Sequence, residues 1–147
     1  MMVAATALLC VAVAAAPAPQ RGYAVIFDAG STGTRVHVYS WLPRANGLPD
    51  LRAEPGGNMK VKPGISTFDN RPEDAGKSIL PLVELATRIV PAEAQTDATV
   101  MLRATAGMRL LPRRRAQRIY DSLVTAVGAN SRFIPKRENF GTLSGDD

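Results

Sequence analysis

A chain of 147 residues with 46% hydrophobic and 21% charged residues has the length of one ordinary domain, and outside its N-terminus the composition excludes a low-complexity chain. The net charge of +5 is uneven: Arg113, Arg114, Arg115 and Arg118 cluster after Pro112 with no interleaved aromatics for base stacking, so they read as a solvated helix face and nucleic acid is not an expected partner. Cys10 is the single cysteine, which excludes an internal disulfide and dithiol redox chemistry.

Residues 2–16 are almost wholly apolar, and Ala14-Ala15-Ala16 before Pro17 offers the small residues that signal peptidase needs. The run is shorter than the roughly 20 residues that span a bilayer, and no Lys or Arg precedes it. It reads as a cleaved signal peptide or a short signal anchor with membrane attachment. Either assigns the protein to the secretory pathway, whether extracellular, Golgi or membrane-anchored. Residues 17–22 form a linker, and residues 23–147 form the folded unit.

The first strand is expected over Tyr23 to Phe27, a continuous apolar run of the kind covered on both faces. It leads without a break into Asp28-Ala29-Gly30-Ser31-Thr32-Gly33-Thr34-Arg35. Glycine turns leave backbone amides free to form an anion-binding concavity, and Ser and Thr hydroxyls add donors. The acid at the start suits a divalent metal or its bound water better than phosphate itself. The same residue types also make ordinary hairpin turns. Val36 to Trp41 then alternates with a period of two, which predicts a second strand paired with the first. His37, the only histidine, reads as a packed strand residue rather than a ligand.

Leu42 to Asn58 is rich in Pro and Gly and is expected to be an exposed loop. Met59 to Lys62 is a candidate third strand, stopped by Pro63-Gly64. Asp69 and Asn70 are candidate N-caps for a helix with Pro72 and Glu73 in its first turn. Ala75, Ile79, Leu82, Val83, Ala86 and Val90 recur at helical spacing, with a kink expected at Pro81 and an end at Pro91. Thr99 to Leu102 resumes a strand. It feeds a second small-residue turn, Arg103-Ala104-Thr105-Ala106-Gly107-Met108-Arg109. Pro112 opens a helix with Ala116, Ile119, Leu123, Val124 and Val127 inward, stopped by Gly128 and Asn130. The pattern is βββαβα, an α/β fold with a mixed sheet. Parallel strands joined by crossover helices bring their carboxyl-end turns to one rim, which would unite the two special turns.

The two turns together carry a resemblance. Asp28 to Arg35 (DAGSTGTR) and Ala104 to Pro112 (ATAGMRLLP) resemble the first and second conserved regions of the apyrases, nucleoside triphosphate diphosphohydrolases of the actin-like ATPase superfamily. Val61-Lys62-Pro63-Gly64-Ile65-Ser66 and Ser78-Ile79-Leu80-Pro81-Leu82 are similar to plant-type members. The resemblance runs from about Tyr23 to the C-terminus and implies the N-terminal lobe, ribonuclease H-like and incomplete, of a nucleoside di- and triphosphate hydrolase using Mg²⁺ or Ca²⁺.

On that resemblance, Asp28 would hold the metal through water, and Ser31, Thr32, Gly33 and Thr34 would grip the terminal phosphate. Thr105, Ala106 and Gly107 would line the far side of the attacking water, Thr105 touching it. Arg35 and Arg109 are either phosphate contacts or structural braces. The family takes its water-orienting glutamate from a third region resembling SGxxEGxY. Leu143-Ser144-Gly145-Asp146-Asp147 looks like the opening of that region, so the glutamate is expected beyond Asp147, and Asp146 and Asp147 occupy variable positions. The expectation is a truncated hydrolase of weak or no activity. Its alternatives are a non-catalytic phosphate- or partner-binding module and a related actin-like kinase or polyphosphatase.

Overall fold

The computed structural model describes residues 20–45 and 47–143. The expectation for residues 2–16 lies outside that range, and among the described residues no helix is long and apolar enough to cross a membrane.

Five strands form one sheet in the order β3-β2-β1-β4-β5. Strands β1 (Gly22–Gly30) and β2 (Gly33–Leu42) are an antiparallel hairpin, closed by the Gly30↔Gly33 pair around Ser31 and Thr32. Strand β3 (Asp50–Val61) pairs antiparallel with β2. Strands β4 (Thr99–Ala104) and β5 (Phe140–Thr142) add in parallel on the other side of β1. The helices are α1 (Pro72–Ser78), α2 (Leu80–Ile89), α3 (Ala106–Arg109) and α4 (Arg113–Ala129). A 3-10 turn at Ile65–Phe68 precedes α1.

One core joins the helices to one face of the sheet. Val25, Phe27 and Ala29 of β1, Val36 and Val38 of β2, and Val100, Leu102 and Ala104 of β4 all point there. They meet Leu82, Val83, Ile119, Leu123 and Val127 from the helices and Ile79 from the junction of α1 and α2. Each such aliphatic side chain removed from water contributes roughly 1.5–3 kcal/mol before conformational entropy is charged against it. The stripe of α4 follows its helical period: Ala116, Ile119, Leu123 and Val127 are buried, whereas Val124 at the margin is only half-buried. Helices α1 and α4 touch at Gly76, whose N–H donates to Ser122 Oγ at 3.0 Å. A β-carbon on Gly76 would lie 2.7 Å from Ser122 O, so this close approach requires glycine.

Several expectations are corrected. Strand β1 is not covered on both faces: Ile26 is half-exposed and Asp28 exposed on the side away from the core. The expected 42–58 loop is largely strand, because β3 begins at Asp50 rather than Met59. Pro55-Gly56-Gly57 is an irregularity within it, where the register slips between His37 and Tyr39 and Gly56 takes φ +71°. The helix expected from the Asp69/Asn70 caps starts instead after Arg71, with no side-chain cap bond. Asp69 and Asn70 serve Arg115 Nη1, at 2.8 and 3.5 Å.

The kink expected at Pro81 is a full break at Ile79, since a proline in the first turn of α2 needs no amide partner but cannot continue α1. Helix α4 runs through Gly128 to Ala129 and is capped by Asn130, so of the two expected stop residues the asparagine ends it and the glycine does not. Strand β5 and helix α3 extend the expected βββαβα pattern.

Candidate functional site

The parallel pairing of β1 and β4 sets both special turns at one rim of the sheet. Thr105 N donates to Ala29 O at 3.1 Å, so the second turn is bonded to the end of the first strand. Steric limits describe the same closeness. A β-carbon on Gly107 would stand 2.7 Å from Ser66 Oγ and 3.6 Å from Ser31 Cα. One on Gly64 would strike Gly30 O and Ser31 O, both at 2.6 Å. The segment Gly64–Ser66 is therefore wedged between the turns and forms a third wall that motif reading did not assign.

Within the first turn, Ser31 and Thr32 are exposed, and their amides make no backbone hydrogen bond among the described residues. Those of Ala106 and Gly107 are equally unengaged. Free amides beside hydroxyls are the donor set an oxyanion requires. Neither flanking glycine uses a positive φ. Gly33 serves close approach instead, because a β-carbon there would meet Val61 O at 2.4 Å. Thr34 is fully buried on the core face, opposite Ala29, and its Oγ1 has no hydrogen-bond partner among the described residues. As placed, that hydroxyl does not reach the mouth of the turn.

Asp28 lies on the open face of the sheet. Lys60, Arg35, Asp28 and Arg103 stand in cross-strand register on four adjacent strands. Arg103 is committed to backbone, donating Nη1 to Asn139 O at 2.7 Å. The Asp28 carboxylate is exposed, and no group of three His, Cys, Asp or Glu able to chelate a metal occurs among the described residues. A single exposed carboxylate suits a hard cation that keeps its water shell and is carried largely by phosphate oxygens.

Thr105 Oγ1 lies 3.5 Å from Ala29 O, a weak contact that leaves the hydroxyl available. Arg109 turns away from both turns: its Nε donates to Leu143 O at 3.1 Å, while Leu143 N returns to Ala104 O at 2.9 Å. Arg113, Arg114, Arg115 and Arg118 are exposed, Arg115 pairing with Asp69, so the basic cluster is a solvated face. His37 packs on Tyr39 with Nδ1 3.2 Å from Asn58 Nδ2, a strand contact as expected. Lys60 is a further residue the motifs did not indicate: its Nζ donates to Thr32 Oγ1 at 3.2 Å. Its signal in the sequence was weak, a lysine near the end of a strand.

A cavity of about 550 Å³ between α1 and α4, around Gly76, Leu80 and Ser122, contains no residue of either turn. Another of about 610 Å³ lies beside α3 and β5, bounded by Arg109, Tyr120 and Leu143. The turns form one wall of an open rim.

The model of the GDA1/CD39 (nucleoside phosphatase) family matches residues 15–147. A nucleoside-triphosphatase from Pisum sativum is 41% identical over 123 residues, covering 84% of this chain and 27% of that protein. A human nucleoside diphosphate phosphatase is 36% identical over 126 residues, covering 85% and 29%. The chain thus spans less than a third of either relative. In fold it is similar to a nucleoside triphosphate hydrolase of Neospora caninum, with a TM-score of 0.58, 18% identity and coverage of 85% and 29%. It is also similar to the PPX-GPPA enzyme of Aquifex aeolicus, with a TM-score of 0.51, 14% identity and coverage of 84% and 36%. These likenesses agree with the actin-like α/β lobe expected from the sequence.

Proposed function

The chain belongs to the GDA1/CD39 (nucleoside phosphatase) family, and on that premise we propose that its two turns are one jaw of a site that hydrolyses nucleoside tri- and diphosphates to monophosphates. The observation that carries this reading is the meeting of the turns through Thr105 N and Ala29 O, with Ser31 beside Gly107. The terminal phosphate lies on the amides and hydroxyls of Ser31 and Thr32, while Gly33, paired with Gly30 at the end of the hairpin, shapes the turn by close approach. Thr34 supports the turn from within β2 rather than touching the phosphate, since its side chain is buried and its backbone lies between β1 and β3. Donors fixed before the reaction stabilise charge on the phosphate oxygens as the bond to the leaving group lengthens.

The attacking water lies between the phosphate and Thr105, Ala106 and Gly107, oriented by Thr105 Oγ1. Its oxygen bonds to the terminal phosphorus, and the bond from phosphorus to the bridging oxygen breaks. That oxygen leaves with the electron pair on the shortened nucleotide. Asp28 would hold Mg²⁺ or Ca²⁺ through coordinated water, and the ion would supply charge neutralisation for the phosphate tail. Arg109 acts as a brace rather than a phosphate contact, as its bond to Leu143 supports. Arg35 remains a cation of the open face beside Asp28.

Water attack also needs a base. Asp28 is the only carboxylate on either turn and is assigned to the metal, so neither turn supplies the base. A positioned general base contributes about 10² to 10⁴ in rate, and the 147-residue chain alone is expected to turn over slowly by that factor or more. The apolar residues 2–16 support entry into the secretory pathway.

Phosphate release from ATP and ADP with Mg²⁺ or Ca²⁺, assayed beside the pea nucleoside-triphosphatase, tests the reading. Binding of phosphate with turnover at least a hundredfold below the relative is expected. Comparable metal-dependent turnover would refute the claim of low activity, and failure to bind phosphate would refute the site. The lone carboxylate also favours a second reading, a phosphate-binding module without turnover. No release above background in the presence of binding would identify it.

A further inference from the structure

A phosphate on the Ser31–Gly33 turn brings up to two negative charges against uncharged amides and hydroxyls, so an adjacent cation governs much of its affinity. Among the described residues, Arg109, Arg35, Lys62 and Lys60 are the cations to weigh, and Lys62, whose Cγ would lie 3.4 Å from a β-carbon on Gly33, makes no hydrogen bond to the turn. Arg109 is bonded to Leu143 O, and Arg35 stands on the open face of the sheet. Lys60 is the one with a contact to the turn, through Nζ and Thr32 Oγ1 at 3.2 Å.

That contact is built by the backbone beneath it. A β-carbon on Gly33 would stand 2.8 Å from Lys60 Cε, so the absence of a side chain lets the lysine stem lie across the turn. Lys60 is also the direct cross-strand partner of Arg35. Like charges directly opposite each other destabilise a sheet; Asp28 flanks Arg35 on its other side, Lys60 has no acid opposite it, and neither Lys60 nor Arg35 enters an ion pair among the described residues. An anion beside the turn would relieve that repulsion. An ammonium has three donors; one serves Thr32 and two are left.

We propose that Lys60 is a phosphate-binding residue of this site, its ammonium bridging Thr32 Oγ1 and an oxygen of inorganic phosphate or of a nucleotide's terminal phosphate. The inference rests on the reading of the turn as the phosphate seat. It adds a charged group from β3, a strand that neither special turn includes.

Inorganic phosphate titrated into the full 147-residue chain, followed by the amide shifts of Ser31, Thr32 and Gly33, provides the test. Lys60→Gln should weaken binding by about tenfold, the worth of one charge-assisted hydrogen bond, and Lys60→Arg by no more than about threefold. Added salt should weaken the unaltered chain more than Lys60→Gln. Thermal midpoints should be unchanged, because the side chain is exposed. Equal affinity in the unaltered chain and Lys60→Gln, with the amides still shifting, would discard Lys60 and leave the turn as the phosphate seat. No shift in the unaltered chain would remove the seat and the inference with it. Equal losses in both variants with lowered thermal midpoints would assign Lys60 a structural role and overturn the proposal.

Discussion

Gly107 and Ser66 approach so closely that a β-carbon on the glycine would lie 2.7 Å from the serine hydroxyl oxygen. The contact joins the second turn to the segment between β3 and α1, which holds the rim in shape. Gly107→Ala is expected to cost about 1–3 kcal/mol of stability, the usual range for forced overpacking. Adding Ser66→Ala should recover most of that loss, because it removes the struck oxygen. Chemical denaturation of the two single variants and the double variant checks this. Additive losses would show that the two residues do not collide.

Gly64 meets a harder obstacle. Its added β-carbon would stand 2.6 Å from the carbonyl oxygens of both Gly30 and Ser31, which are backbone and cannot rotate away. Gly64→Ala should therefore exceed Gly107→Ala in cost, at roughly 3 kcal/mol or more, and should disturb the first turn directly. Denaturant midpoints with amide spectra of Ser31 and Thr32 would show both effects. A smaller loss than at Gly107 would contradict the close packing of Gly64 on the turn.

The two turns were legible in the sequence because each is local: a strand ends, small residues follow, and the residue types fix the donors. Their meeting followed from the expected parallel pairing of β1 and β4. Strand β3 was hidden because Pro55-Gly56-Gly57 carries the composition of a loop, while the structure uses Gly56 and Gly57 to bulge a continuous strand around Val38. Strand β5 has three residues, too few for alternation to show. Ser66 and Lys60 reach the rim through tertiary packing, which no local pattern encodes. The run Tyr23–Phe27 suggested cover on both faces, yet the helices pack on one face, and small Ala24 and half-exposed Ile26 supply its other side.

Arg109 distinguishes bracing from phosphate contact. Its Nε bonds Leu143 O, and Leu143 N bonds Ala104 O, so the pair clamps the chain after β5 onto the end of β4. Arg109→Ala should leave phosphate affinity within about twofold while speeding hydrogen exchange at Leu143, since the remaining backbone bond is then unsupported. A loss of phosphate binding near tenfold, with exchange unchanged, would return Arg109 to the ligand.

Thr34 presents a buried hydroxyl with no partner among the described residues, opposite Ala29 on the core face. Thr34→Val keeps the branched shape and removes the unsatisfied oxygen, so stability should rise by about 1 kcal/mol. Phosphate affinity should not change if the side chain takes no part in binding. A matched fall in affinity and stability would show that the hydroxyl has an unseen partner needed by the turn.

Tyr120 links α4 to β5, its hydroxyl sharing a hydrogen bond with Thr142 Oγ1 while Arg137 lies 5.3 Å from the ring centroid. Burial raises the phenol above its ordinary pKa, outweighing the hydrogen bond to Thr142 and the Arg137 charge, which act the other way. A raised pKa means the folded protein holds the proton more tightly than the unfolded chain. The corresponding stability is fully present below about pH 10 and is lost as pH climbs from there through the folded-state value. Tyr120→Phe should cost about 1 kcal/mol at neutral pH through the lost hydrogen bond. Because phenylalanine does not titrate, the variant should also lose less stability than the parent between neutral pH and pH 11. Denaturation curves at both pH values test the sign: a steeper alkaline loss in Tyr120→Phe would mean that the folded state favours the phenolate.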